Sequence, residues 1–148
     1  MTGARLAMTQ SGRISFKAVI LGVLTDVVGS LAVMTAVGVI VGIAAAAQGA
    51  PQAELDLQLQ RPGFLMPSVL LGLGFTALGG FVAGRLSGRL ETIHGCLVGS
   101  VCLVLGILLW PLSASVPAWY TVVSLLGSVP LGLLGGYLAE NTRGVPLL

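Results

Sequence analysis

Residues 97–110 of this chain read LVGSVCLVLGILLW, and residues 31–47 read LAVMTAVGVIVGIAAAA. Neither stretch carries a charged side chain, and neither alternates apolar with polar positions as the strands of a membrane β-barrel do. In lipid every backbone N–H and C=O group needs a partner within the protein, and an unbroken apolar segment meets that need by forming a helix. The two stretches therefore predict membrane-spanning α-helices.

The composition extends this prediction to the whole chain. Mean hydropathy is +1.02, and charged residues make up 8% of the sequence, too few for the surface of a soluble domain. A hydrocarbon core of about 30 Å needs about 20 apolar residues per helix. Four segments supply them, and we expect one all-α transmembrane domain over residues 1–148, a four-helix bundle with helices at 16–47, 64–88, 93–112 and 116–139 and an outer loop at 48–63.

The first apolar segment has a basic leader, and the residues after it resemble the small-residue cleavage site of a secretory signal. A signal core is only about 7–15 residues long, and residues 16–47 are far longer. We therefore expect a retained membrane anchor.

The basic residues are distributed unevenly along the chain. Arg61 is the one basic residue in the loop 48–63, whereas the other six flank the opposite helix ends: Arg5, Arg13, Lys17, Arg85, Arg89 and Arg143. Cytoplasmic loops carry an excess of Lys and Arg. This bias predicts a multi-pass protein of the cell's inner (plasma) membrane, with both termini in the cytoplasm and the loop outside.

Glycines recur at four-residue intervals in the predicted helices, and small residues with this spacing let two helix backbones approach closely. Such glycine faces pack either the chain's own helices together or the chain against a partner. The candidate packing residues are Gly80, Gly84 and Gly88 in the second helix, Gly95 and Gly99 in the third, and Gly132 and Gly136 in the fourth.

A short repeat relates the second and fourth predicted helices. Residues 78–83 read LGGFVA and residues 134–139 read LGGYLA, an offset of 56 positions. The repeat predicts two parallel helical hairpins related by an axis along the membrane normal. The alternative is chance similarity between segments rich in glycine and leucine.

Asp26 is the one acidic residue within an apolar stretch, and its helix face is small and polar enough to turn inward. A carboxylate within a membrane is costly unless it is paired, protonated or hydrated. It predicts either a proton or cation site, or a structural ion pair with Arg85 or Arg89. A third alternative is a helix shifted so that Asp26 lies near the membrane surface.

Four polar residues bracket the connection between the second and third helices: Arg85, Arg89, Glu91 and His94. Together with Asp26, both arginines and His94 form the candidate polar binding cluster. Glu91 suits the positive end of a helix that begins beside it, and we also expect a contact between Arg85 and Glu140. We expect no metal site and no cofactor, since Cys96 and Cys102 are about 600° of helix apart and His94 has no second histidine.

The sequence resembles a group of small uncharacterised bacterial membrane proteins in its second and third helices. The shared element runs from Gly79-Gly80-Phe81-Val82-Ala83-Gly84-Arg85 to His94-Gly95-Cys96-Leu97-Val98-Gly99, a GG(F/Y)xAGR…HGxxxG pattern. The resemblance covers about 20 residues and implies a four-helix architecture and a bacterial inner membrane. That group has no established activity, so the resemblance implies no reaction.

Two functions follow from these features. The first is a structural or accessory subunit that associates through its glycine faces as a homo-oligomer or within a larger membrane complex. The alternative is a small transporter or channel that uses Asp26 as a proton or cation site. We expect no enzymatic activity, because no catalytic residue set stands out, and we expect the lipid bilayer rather than nucleic acid as a partner.

Overall fold

The computed structural model describes residues 14–112 and 116–144, and every regular element within them is helical. The predicted all-helical class is thereby confirmed, and four of the helices are long and apolar enough to cross a membrane. The elements are α1 (Phe16–Ala47), α2 (Gln52–Leu59), α3 (Pro62–Ser87), α4 (Glu91–Leu109) and α5 (Ala118–Asn141), with 3₁₀ turns at Trp110–Leu112 and Thr142–Gly144.

The predicted boundaries agree with the four long helices to within three residues. The loop at 48–63 differs, because it contains the short helix α2, which the sequence analysis did not predict. Pro51 precedes this helix and Glu54 lies in its first turn, where a carboxylate is favourable. At the start of α3, Pro62 occupies the first turn, a position that proline tolerates because its missing N–H has no helical partner there.

The connection between α3 and α4 is a tight turn. Gly88 ends α3 with a φ of 68°, the left-handed conformation that glycine adopts most readily, and Leu90 precedes α4 with a φ of 53°. Because only residues 88–90 separate the two helices, α3 and α4 are antiparallel neighbours. The turn therefore brings Glu91 and His94 close to the end of α3.

The helices pack most closely where glycines meet. Helix α3 contacts α1, α4 and α5, and α4 also contacts α5 along much of its length, whereas α1 contacts α4 less extensively. A methyl group added at Gly80 would collide with the carbonyl oxygen of Gly132, and one added at Gly135 would collide with that of Ala77. Backbones therefore touch directly between α3 and α5.

Packing divides the helices into two halves. We call residues 16–26, 76–87, 91–102 and 128–141 the His94 half, and residues 27–47, 62–75, 103–112 and 116–127 the Trp110 half. Of the buried residues in these helices, only Leu65, Ser68 and Val69 lie in the Trp110 half. The apolar core formed by Val19, Ala83 and Val98 lies in the His94 half.

Candidate functional site

The carboxylate of Asp26 lies where three helices meet, and the residue is only 6% exposed. Its Oδ2 accepts a hydrogen bond from the hydroxyl of Thr76 on α3, at 3.2 Å. The same oxygen accepts one from the thiol of Cys102 on α4, at 2.8 Å. Both donors are neutral, so the hydrogen bonds stabilise the carboxylate without supplying a counter-charge.

The glycines one turn away explain how Asp26 reaches these partners. A methyl group added at Gly22 would lie 2.6 Å from the carbonyl oxygen of Gly79, so α1 and α3 are in backbone contact there. A methyl group at Gly79 would also lie 3.2 Å from the Cβ of Asp26. Close approach of the two backbones therefore brings the short aspartate side chain to the hydroxyl of Thr76.

A cavity of about 420 Å³ extends from Asp26 into the Trp110 half. It lies among four helices, since α1, α3, α4 and α5 all contribute to its wall. Side chains that line it include those of Asp26, Ser30, Met34, Ser68, Cys102 and Tyr120. On the opposite side of Asp26, the core of the His94 half fills the space between the helices.

The ion pair predicted between Asp26 and Arg85 is not formed. The carboxylate lies beside Thr76, and Arg85 is nine residues farther along α3, about 13 Å at 1.5 Å per residue. The Arg85 guanidinium instead lies over the ring of Phe81, 5.6 Å from its centroid. Arg89 lies still farther on, in the turn beyond the end of α3.

His94 is also separate from Asp26. The imidazole is 1% exposed, its Nε2 accepts a hydrogen bond from the backbone N–H of Ser15 at 2.9 Å, and its Nδ1 lies 2.9 Å from the carbonyl oxygen of Leu90. This pattern requires a neutral ring with its proton on Nδ1. His94 therefore joins the start of α1 to α4, and the predicted polar cluster divides into two separate regions.

A third polar contact joins α4 to the end of α5. Nε of Arg143 lies 2.6 Å from Oε1 of Glu91, whose side chain is 6% exposed. Glu140 accepts a hydrogen bond from the hydroxyl of Thr92 at 2.7 Å, whereas the sequence analysis expected it to contact Arg85. The pairing of Glu91 with Arg143 was missed because Glu91 was explained by its place at a helix N-terminus.

The predicted packing glycines are used within the chain, with one exception. Methyl groups added at six of them would collide with backbone or side-chain atoms of another helix: Gly80, Gly84, Gly95, Gly99, Gly132 and Gly136. Gly88 instead provides the left-handed end of α3. By contrast, methyl groups at Gly38 and Gly42 on α1 would meet nothing within 4 Å.

Metal-binding residues do not cluster in the part of the chain that the structure describes. No group of three or more His, Cys, Asp or Glu side chains there is placed to hold a metal ion. Both cysteines are free thiols, and the Cys102 thiol donates to Asp26. The chemistry available at the site is therefore that of one carboxylate beside a hydroxyl and a thiol.

Comparison with known proteins adds no further information about the site. No protein family, curated protein or solved structure matches the chain. The resemblance to small bacterial membrane proteins therefore stays a prediction.

Proposed function

We propose that this chain is a small multi-pass membrane protein that binds a proton or another cation at Asp26 in the course of transport. The observation that carries the proposal is that the Asp26 carboxylate lies in the wall of a cavity and accepts hydrogen bonds from neutral donors, Thr76 and Cys102. An intramembrane carboxylate is costly, and a purely structural one is usually paired with a fixed positive charge. A carboxylate without such a partner is suited to exchange protons or cations.

Unequal access from the two ends also supports transport. The cavity extends from Asp26 toward the Trp110 half, while Val19, Ala83 and Val98 form a buried apolar core in the His94 half. A transporter alternates between states in which its site is accessible from one side only. The positive-inside charge bias predicts that this cavity lies in the outer half of the membrane, with both termini in the cytoplasm.

The repeat supports a specialised role for Asp26. Helices α3 and α5 contact each other near equivalent positions of the repeat. Gly80 meets Gly132 and Ala77 meets Gly135, and the sequence separations within these two pairs lie on either side of the repeat offset of 56. Such contacts fit two parallel hairpins, α1–α3 and α4–α5, related by an axis along the membrane normal.

Corresponding positions in the two hairpins differ in chemistry. The repeat offset places Gly132 at the position of Thr76, and aligning Gly95 with Gly22 places Gly99 at the position of Asp26. Gly99 and Gly132 are in contact, just as Asp26 and Thr76 are. One hairpin therefore has a polar pair where the other has two glycines.

Proton flux in reconstituted vesicles tests the proposal. Purified protein in vesicles that contain a pH-sensitive dye should carry protons when a gradient of pH or potential is applied. Asp26→Asn should abolish the flux, while Asp56→Asn, which removes an exposed acid outside the long helices, should leave it unchanged. Flux that persists in Asp26→Asn would contradict the proposal.

A second candidate function is that of an oligomerising or accessory subunit. It is favoured by the outer part of α1, where Gly38 and Gly42 are open and the most apolar 18-residue window of the helix has no buried residue. Gly42→Leu should then weaken a homo-oligomer or release a co-purifying partner, as measured by native mass spectrometry in mild detergent. Gly74→Leu is the control, because Gly74 is equally open but lies on α3. An unchanged assembly in Gly42→Leu would argue against this function.

A further inference from the structure

We propose that the cavity beside Asp26, which we call the Asp26 cavity, binds lipophilic monovalent organic cations that enter sideways from the bilayer. The inference rests on the proposed function, since it names the class of cation that Asp26 would bind. It is carried by the chemistry of the cavity wall, by the size of the cavity and by the helices between which it opens.

The wall of the cavity is poor in groups that would replace the water around an inorganic ion. Besides the Asp26 carboxylate, its oxygen-bearing side chains are three neutral hydroxyl groups on three different helices, those of Ser30, Ser68 and Tyr120. Hard cations need several oxygen ligands to compensate for lost hydration. An organic cation with a delocalised charge and an apolar surface is weakly hydrated and does not need them.

Apolar side chains make up most of the remaining wall. Val27, Leu31, Met34 and Leu105 line the cavity together with Tyr120. Its volume of about 420 Å³ far exceeds that of a dehydrated metal ion and falls within the range of roughly 300–1,000 Å³ found for small-molecule sites. Asp26 supplies one negative charge, and both hydrogen bonds from Thr76 and Cys102 end on Oδ2. Oδ1 is therefore the oxygen left to face a ligand of single positive charge.

The position of α1 gives this cavity a lateral opening. α1 contacts α3 extensively and α4 less so, and the Asp26–Cys102 contact joins α1 to α4 at the boundary of the His94 half. Val27 and Leu31 belong to the wall of the cavity, yet they are 43% and 66% exposed on a helix that is apolar enough to cross a membrane. The cavity thus opens toward the surface that lipid covers, where a lipophilic cation concentrates.

Cation binding and proton binding compete for one carboxylate. When the organic cation pairs with the Asp26 carboxylate, the proton of the neutral acid leaves to water, so that one positive charge replaces another. No bond other than the O–H bond of the acid is broken. Binding should therefore release up to one proton per cation, at a pH where Asp26 is protonated before the ligand is added.

The experiment uses tetraphenylphosphonium as the probe and the full-length protein in detergent. Equilibrium dialysis measures bound cation, and a pH indicator in weakly buffered solution measures released protons. We expect saturable binding with proton release in the parent protein and loss of both in Asp26→Asn. Asp56→Asn should match the parent, and excess sodium or potassium chloride should not displace the probe beyond an ionic-strength effect.

A pair of glycine variants distinguishes the contribution of the cavity to probe binding from that of the Asp26 carboxylate. Gly72 lines the Asp26 cavity, and a methyl group added there would meet nothing within 4 Å. Gly72→Leu should therefore fold but fill the cavity, lowering affinity for the probe at least tenfold while Asp26 still takes up and releases protons. Gly74→Leu, on the same helix but in the wall of a different cavity, is the matched control and should bind the probe normally.

The possible results distinguish the two proposals. Asp26-dependent proton exchange without binding of tetraphenylphosphonium would overturn the assigned cation class and leave the proton or cation site standing. Absence of both proton exchange and probe binding in correctly folded protein would overturn the proposed function as well. Probe binding that is equal in the parent and in Asp26→Asn would show simple partitioning into the micelle and would overturn the cavity assignment.

Discussion

The His94 half and the Trp110 half are both made of helices rich in apolar residues and glycine, but the two halves pack differently. In the His94 half, Gly22 meets Gly79 and Gly95 meets Gly132, so that backbones touch and side chains are excluded from between them. In the Trp110 half, Gly38, Gly42 and Gly74 meet no neighbour, whereas Gly29, Gly106 and Gly127 meet side chains of other helices instead of backbone. Direct backbone contact therefore depends on what faces each glycine and not on glycine content alone.

The polar groups differ between the halves in the same way. Glu91 and His94 in the packed half contact Arg143 and the backbone N–H of Ser15. Asp26 lies at the boundary and is next to open volume. Since lipid provides no hydrophobic force between helices, close packing and polar contacts must hold the His94 half together. In the Trp110 half, the glycines meet side chains or open space instead of another helix backbone.

The largest effect should come from a single methyl group in the packed half. Gly80→Ala places a Cβ against the Gly132 carbonyl, a backbone atom that cannot move without shifting α5. Overpacking of this kind costs about 1–3 kcal/mol, and we expect a clear fall in the midpoint of thermal unfolding in detergent. Gly74→Ala is the matched control and should leave the midpoint nearly unchanged. Equal midpoints for the two variants would contradict the difference in packing.

The Glu91–Arg143 pair should give the next largest effect. Arg143→Gln leaves the buried Glu91 carboxylate without its counter-charge. The Arg143 side chain is 43% exposed, so solvent screens the ion pair, and we expect its loss to cost about 1 kcal/mol. The measurement is the unfolding midpoint of Arg143→Gln and of the double variant Glu91→Gln/Arg143→Gln. We expect the double variant to recover part of the loss, because a neutral amide is less costly to bury. A double variant no better than Arg143→Gln would show that the pair is not what stabilises this end.

A smaller and more local effect is expected at His94. His94→Leu introduces an apolar side chain of similar bulk and removes the acceptor for the Ser15 backbone N–H. An unsatisfied buried donor costs about 1–3 kcal/mol, and here fraying of the first turn of α1 should relieve much of it. Hydrogen–deuterium exchange at the start of α1 should therefore accelerate in His94→Leu. Ile93→Leu, at the exposed neighbouring position, is the control, and equal exchange in both variants would remove the proposed role of His94.

Sequence reasoning predicted the four long helices because uncharged segments of this length have few alternatives in lipid. It missed α2, whose composition is neither strongly apolar nor strongly periodic, so that its helical state depends on the Pro51 start and the following polar residues. It placed the start of the second helix at residue 64, two residues after its observed start at Pro62.

The site was predicted only in part. Asp26 was identified because an acid is rare in an apolar segment, but its partners were expected to be arginines. The prediction gave too much weight to attraction between opposite charges. The close contact between Gly22 and Gly79 decides instead which residues of α3 lie beside Asp26 along the helix axis. Thr76 could have been found from its spacing of three and four residues before Gly79 and Gly80 on one face of α3. Cys102 carried no such signal, since its role depends on how α1 packs against α4.

Asp26→Asn should have the smallest effect on stability of these substitutions, although it removes the carboxyl group that would exchange protons. Asp26→Asn retains a side-chain oxygen that accepts from Thr76 and Cys102, so its unfolding midpoint should stay close to that of the parent. Infrared difference spectroscopy of the protein in lipid, between acidic and alkaline pH, tests the central claim directly. We predict the C=O band of a protonated carboxyl group that appears on acidification in the parent and is absent in Asp26→Asn. An identical difference spectrum for the two proteins, or a variant that unfolds much more easily than the parent, would contradict an exchangeable Asp26.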